Sequence, residues 1–374
     1  MKKRKIHIYS DINYHSYQHI NQMLYRQLST SNKFYTIFLQ RFIMNSVRWK
    51  YVLKFFSATI DKIKNPHNKN KNKNKNKNKN NLLNVKNIVN IPPQNLFFDF
   101  LNTLLVKFQL LKLESNDIVI TFVPSKGLDK VFSSYNDLIY YCVHDSNHQS
   151  YHARNKKYEK LLVKRSSLTF CDNEIVLNRL AEGSKYINIL EKEALFRQDS
   201  KFYLVPPPVP NEFYNIAKRN KKFDLVYFGS IHKDININLI LNLSIKYSIL
   251  IISYQNFKIL PLHNITFVSG TPNIEIPVKK ISLAKAILFP YVNSEFMNSI
   301  SPAKLYQSIA TSMPIYCSNK NLCEKYNLNP VEDIGNDTLI PKNIIHRNIN
   351  IEDFREKNIL SKIELIIRKN LGER

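Results

Sequence analysis

Twelve short apolar runs, split into two series by Pro206-Pro-Pro-Val-Pro210, constrain this chain more than any other feature. The first series is Ile6–Ser10, Phe34–Leu39, Asn87–Ile91, Asp117–Phe122, Leu138–Val143, Leu168–Cys171 and Phe202–Val205. Amphipathic patterns at His15–Leu28, Gln94–Leu113 and Tyr151–Arg165 separate them. The second series is Asp224–Phe228, Ser248–Ile252, Ile265–Val268, Ala286–Pro290 and Pro314–Cys317. Its helical patterns are Ile235–Tyr247, Ile274–Ala284, Pro302–Ser312 and a final Ile351–Asn370. Runs that are apolar throughout belong to strands buried on both faces, and their alternation with helices makes the sheets parallel. The expected class is α/β, with two parallel-sheet domains facing across a cleft that would hold the ligand. The expected boundaries are 1–207, a polar and basic linker at 208–222, and 223–345. A C-terminal helix within 346–374 is placed to pack back on the first domain.

The first half is interrupted by a Lys-Asn alternation, with six consecutive copies from Lys69 to Asn80. Such a tract has no apolar residue to bury, so a disordered insertion is expected over about 64–81. A tolerated loop expansion explains it better than a nucleic-acid-binding arm, which would interleave arginines and aromatics.

Composition removes several function classes. Among 374 residues there are only six glycines, and none forms Gly-x-Gly. The Walker phosphate loop, the dinucleotide fingerprint and the kinase glycine loop are therefore excluded. Any phosphate must be held by helix N-termini and side chains. Cys142, Cys171, Cys317 and Cys323 contain no Cys-x-x-Cys pair, which argues against a disulfide framework or zinc ribbon and for a reducing cytosol. The start Met1-Lys-Lys-Arg-Lys5 resembles a signal peptide's basic end, but Ile6–Ser10 runs into Asp11 before an apolar core can form. No apolar stretch is long enough to span a bilayer. A cytoplasmic protein, attached at most peripherally to the inner face of a membrane, is expected. The 55 Lys+Arg against 29 Asp+Glu give +26. That excess has two readings, drift under an AT-rich genome or attraction to polyanions and anionic lipid.

Candidate chemistry concentrates after Pro290. Ser301-Pro302 makes a strong helix start, Ser as N-cap and Pro at the first helical position. Lys304 then falls in the first turn, against the positive end of the helix dipole, a placement that makes sense beside an anion. Gln307 shares its face, while Leu305 and Ile309 point to the core. An ordinary capped helix with a solvated lysine fits these residues equally well. A second group is His144, Asp145, His148 and His152, following a buried strand. Their position in a loop argues against a metal site. Asp145 or His144 could contact an acceptor or stabilise charge, or serve only to cap the loop. Lys156, Lys157, Lys160 and Lys164 form either a solvated basic face or a surface for anionic lipid or a lipid-diphosphate acceptor.

The ordered set of segments resembles GT-B-fold glycosyltransferases, group 1-like. Ser299-Ile-Ser-Pro-Ala-Lys-Leu-Tyr-Gln-Ser-Ile-Ala310 is similar to that family's nucleotide-sugar helix, and Ser312-Met-Pro-Ile315 to the strand after it. Val226-Tyr-Phe-Gly-Ser-Ile-His-Lys233 is similar to its first C-terminal-domain strand, with a Gly turn and a following basic residue. Phe202-Tyr-Leu-Val-Pro-Pro-Pro-Val209 and Leu138-Ile-Tyr-Tyr-Cys-Val-His-Asp145 occupy further family positions, so the likeness covers about 117–318.

The resemblance implies two Rossmann-like domains and a nucleoside-diphosphate sugar as co-substrate. Gly229, Lys233, Ser299, Ser301 and Lys304 would bind the donor diphosphate and Gln307 its ribose, with Asp145 and His144 on the catalytic, acceptor side. Gln307 departs from the glutamate that the family commonly places there, and the loop Ser10–Ser16 lacks the family's glycine-rich turn. Asp-x-Asp, the metal-diphosphate signature of the other large glycosyltransferase fold, is absent, so no metal or other cofactor is expected.

The leading expectation is sugar transfer from a nucleotide donor to a capsular, lipopolysaccharide or lipid-linked glycan acceptor, with retention of configuration implied by the family resemblance. Its rivals are a glycosyltransferase-like binding protein inactivated at Gln307, and a basic nucleic-acid-binding protein, the reading least supported by the residues.

Overall fold

The computed structural model describes residues 3–16, 19–31, 33–43, 84–90, 96–110, 114, 116–124, 137–143, 145, 153–216, 219–254, 264–294, 297, 303–335 and 350–372. The Lys-Asn tract, His144, His148, His152, Ser299 and Ser301 lie outside the described residues.

Two parallel sheets organise the chain. The first contains β1 (Lys5–Ser10), β2 (Tyr35–Ile43), β3 (Val85–Asn90), β4 (Ile118–Thr121), β5 (Asp137–Cys142), β6 (Leu168–Cys171), β7 (Ile187–Asn188) and β8 (Phe202–Leu204), in the order β3-β2-β1-β4-β5-β6-β8-β7. The second contains β9 (Phe223–Phe228), β10 (Ile249–Ser253), β11 (Ile265–Ser269), β12 (Ala284–Phe289), β13 (Ile315–Cys317) and β14 (Asn329–Pro330), in the order β11-β10-β9-β12-β13-β14. The strand order reverses direction between β1 and β4 in the first sheet, which turns back again at its β8-β7 edge, and between β9 and β12 in the second. At such a reversal the two following connections leave in opposite directions and open a crevice at the carboxyl ends of the strands.

The central strands are buried on both faces, as their composition requires, while the edge strands β3 and β11 expose residues. Every residue of β4, β5, β6 and β10 is buried. Ile6, Ile8, Ile118, Ile120 and Tyr141 face the layer formed with α1 (Ile20–Thr30). Val119, Leu138 and Tyr140 face the opposite layer, which takes Val106 from α2 (Leu96–Leu110), Leu162 and Val163 from α3 (Ala153–Arg165), and Val176, Leu177 and Leu180 from α4 (Glu174–Ala181). Burying each such Ile or Leu contributes about 1.5–3 kcal/mol of transfer free energy. The second sheet is flanked by α5 (Ile237–Ser244), α6 (Glu275–Ile281), α7 (Ala303–Ala310) and α8 (Lys320–Tyr326), all contributing to one core.

The last helix, α9 (Glu356–Leu371), returns to the first sheet. Its Ile359, Leu360, Ile363, Ile366, Ile367 and Leu371 recur at helical spacing and join Met23, Leu24 and Leu28 of α1 in one core. Two chain segments therefore pass between the sheets, and they are hydrogen-bonded to each other. Val209 N–H donates to Phe354 O at 2.8 Å, and Glu356 N–H to Val209 O at 2.9 Å. The polar stretch after Pro210 is also more than a linker. Phe213 is buried in the second core and stacks on Phe228 with ring centroids 6.0 Å apart.

Candidate functional site

β9 ends at Gly229, which has φ +144°, backbone that L side chains rarely adopt. Its N–H donates to Ile252 O on β10 at 2.9 Å, so the turn starts from a fixed point on the sheet. The loops after β9 and β12 are then joined. Asn236 N–H donates to Pro290 O at 2.7 Å and Val292 N–H to Asp234 O at 3.0 Å, while Ser294 Oγ donates to Asp234 Oδ1 at 3.2 Å. From β13, Ser318 Oγ donates to Tyr291 O at 2.9 Å and Asn319 Nδ2 to Val292 O at 2.9 Å. A rigid floor thus spans the point where the strand order reverses.

Lys304, in the first turn of α7, lies across this floor. Leu305 and Ile309 anchor α7 in the core and turn Lys304 toward Gly229. A Cβ built on Gly229 would stand 2.9 Å from both Lys304 Cδ and Nζ, so only glycine leaves the lysine this path. Among the described residues the Lys304 ammonium has neither hydrogen bond nor ion pair. The residue keeps part of its surface exposed, yet the protein crowds its charged end, and that desolvation pushes its pKa below the ordinary lysine range. It is therefore not the solvated lysine of an ordinary capped helix. Desolvation, the positive helix end and the lack of a counter-ion among the described residues all oppose this charge, and an anion would relieve all three.

Gln307 follows one turn later, half-buried and without a hydrogen-bond partner among the described residues. Lys233 is on the Gly229 loop and exposed, and its neighbour His232, also partly exposed, stacks on Tyr291 with centroids 6.4 Å apart. Nothing in Ser230-Ile-His-Lys233 says which basic side chain packs on Tyr291, so His232 does not stand out in the sequence.

Asp145 belongs to the other sheet, beyond β5. It is buried, and its Oδ1 accepts from Arg179 at 3.0 Å. The same guanidinium reaches Glu159 Oε2 at 2.9 Å, and Tyr140 OH donates to Glu159 Oε1 at 2.9 Å. This network ties the loop after β5 to α3 and α4, and it occupies one oxygen of the Asp145 carboxylate. The structure thus brings Lys304 against Gly229, with Gln307 one turn along α7, Lys233 exposed on the Gly229 loop and Asp145 at the other sheet. Among the described residues no group of three or more His, Cys, Asp or Glu could hold a metal ion.

No protein-family model matches the sequence, and no curated protein does. Solved structures do match, over nearly the whole chain. The pneumococcal O-GlcNAc transferase GtfA, in complex with UDP and GlcNAc, superposes with a TM-score of 0.60 at 10% identity, covering 100% of both chains. The chain has the GT-B fold. The UDP-GlcNAc 2-epimerase from Neisseria meningitidis bound to UDP-GlcNAc matches with a TM-score of 0.54 at 12% identity, over 98% of this chain and 100% of its own. The S. aureus MnaA–UDP structure matches with a TM-score of 0.54 at 11% identity, over 99% and 97%. The GT-B likeness fixes the architecture, and at these identities it says nothing about individual side chains.

Proposed function

We propose that the protein is a glycosyltransferase that moves a sugar from a nucleoside-diphosphate donor to a surface-glycan acceptor. The observation that carries this reading is the desolvated Lys304 ammonium, laid over Gly229 at the strand-order reversal without a counter-ion among the described residues. The three GT-B neighbours support it, each having been solved with UDP or UDP-GlcNAc.

In this reading the donor diphosphate lies against Gly229 and the start of α7. The bond between the sugar's anomeric carbon and the diphosphate oxygen breaks, and its electron pair stays on that oxygen. Lys304 and the helix-end amides stabilise the charge that develops there. The acceptor hydroxyl oxygen forms the new bond to the anomeric carbon and gives up its proton to the departing diphosphate oxygen. Gln307 offers the ribose one acceptor oxygen and one amide donor, against two acceptors for a glutamate. Asp145 acts by positioning the acceptor-side loop through Arg179. Retention of configuration follows the family resemblance, and no metal is assigned a role.

Attachment to an anionic membrane is part of the same proposal. Lys164 of α3 is exposed, and α2, on the same side of the first sheet, exposes Phe100 and Phe108. Cationic and apolar groups on one side of the sheet suit an interfacial lipid surface. No helix among the described residues is long and apolar enough to cross a membrane.

A second reading, a binding protein without activity, draws on Gln307. Incubation with a panel of nucleotide sugars and mass-spectrometric detection of products separates the two. Release of the nucleoside diphosphate by wild type, and loss of that release in Lys304→Met, is the expected result. Recovery of an isomerised nucleotide sugar would indicate an epimerase instead, and binding with no product would support the second reading.

A further inference from the structure

His232 stands beside Lys304 and is so far without a role. Its side chain is 39% exposed, in the turn after β9. Asp234 N–H lies 3.3 Å from its Nδ1, and Asp234 Oδ2 lies 3.4 Å from the same nitrogen. Asp234 is itself fixed, its Oδ1 accepting from Ser294 Oγ at 3.2 Å. One ring face rests on Tyr291, with an interplanar angle of 29°. The Nδ1 side is thus anchored, while Nε2 has no hydrogen-bond partner among the described residues. In an imidazolium both nitrogens donate, so Asp234 could accept from Nδ1 and a ligand from Nε2.

Three charged groups act on this ring. Asp234 favours its protonation, whereas Lys304 across the turn and Lys233 next in sequence oppose it. Burial opposes it most, and the net effect holds the His232 pKa below the ordinary histidine value. In the free protein near pH 7 the ring is accordingly neutral. A bound diphosphate would reverse the balance by setting negative charge beside both Lys304 and the imidazole.

Resting on the donor-site reading above, we propose that His232 is a second anion-binding group of this site and enters the complex as imidazolium, so that donor binding takes up a proton. Lys304 would supply the permanent charge and His232 a charge that appears only with the ligand. Such a site avoids two neighbouring cations in the empty protein and still meets the diphosphate with both.

Calorimetric titration with UDP-GlcNAc, UDP-glucose and GDP-mannose tests this, because the diphosphate diester of these probes does not titrate near neutral pH. Running each in PIPES and in Tris, whose ionisation enthalpies differ, counts the protons exchanged. Wild type should take up about half a proton or more at pH 7, with affinity falling about three- to tenfold from pH 6.5 to pH 8. His232→Gln should bind with no uptake and a flat pH profile, while melting near the wild-type temperature. In ligand-free Lys304→Met, the His232 titration followed by NMR should move to higher pH. Binding by wild type without proton uptake, or uptake that persists in His232→Gln, would overturn the proposal. Failure of wild type to bind any of the three probes at either pH would instead reject the donor site, and the role of His232 with it.

Discussion

Gly229 is the residue whose replacement tests the floor of the site most sharply. Gly229→Ala must adopt φ +144° and also displace Lys304, whose Nζ would lie 2.9 Å from the new Cβ. Destabilisation of about 1–3 kcal/mol is expected, read as a lowered melting temperature, together with weaker nucleotide-sugar binding. A second residue-scale prediction concerns His7, buried on β1 with Nε2 2.9 Å from Asp117 Oδ2. Burial lowers its pKa, and the Asp117 carboxylate only partly offsets that. The unfolded chain then binds a proton more readily than the folded one, so stability falls as pH drops from about 6.5 through the lowered folded value. Denaturant titrations of wild type and His7→Gln between pH 7 and pH 5 should show a shallower loss in the variant. A slope that is unchanged by the substitution would remove His7 from the acid response. Lys304 and Gly229 were legible as isolated candidates in the sequence. Their contact was not, since it joins positions whose closeness depends on the β9–β12 pairing. The Asp145–Arg179 ion pair was hidden for the same reason, its partners being separated by 34 positions.

The returning helix carries the clearest prediction at the scale of an element. Ile363 is fully buried between α9 and the first sheet. Ile363→Ala should cost about 2–5 kcal/mol by leaving a cavity, measured by denaturant unfolding. An effect under about 1 kcal/mol would mean that α9 adds little to the first core. The twelve apolar runs all became strands, because a strand buried on both faces must be apolar throughout, whatever its neighbours. The shortest elements escaped notice. Helices α4 and α8 are short and are fixed by side-chain caps, Asn173 accepting from Ile175 and Val176 N–H, and Asn319 from Leu322 N–H. β7 and β14 have two residues each and exist only through their pairing. The first helix begins at Ile20 rather than His15, since the preceding loop is held elsewhere, Gln40 accepting from Tyr14 N–H at 2.8 Å.

On the scale of the whole molecule, a net charge of +26 and the exposed Phe100 and Phe108 predict binding to anionic vesicles. Co-sedimentation with phosphatidylglycerol vesicles should be strong in low salt and mostly reversed by salt, with little binding to neutral vesicles. Phe100→Ser with Phe108→Ser should remove the fraction that resists salt. Absence of low-salt binding would show that the charge excess is compositional. Each sheet carries a strand-order reversal, and at that of the second sheet Lys304 has no ion-pair partner among the described residues. Calorimetric titration of nucleotide sugars into wild type and Lys304→Met, with melting temperatures for both, tests that site most directly. Affinity should drop by about 1.5–3 kcal/mol in Lys304→Met, while the melting temperature holds or rises because a desolvated, unpaired charge has been removed. Equal affinity in both proteins, for a nucleotide sugar that binds, would contradict the account.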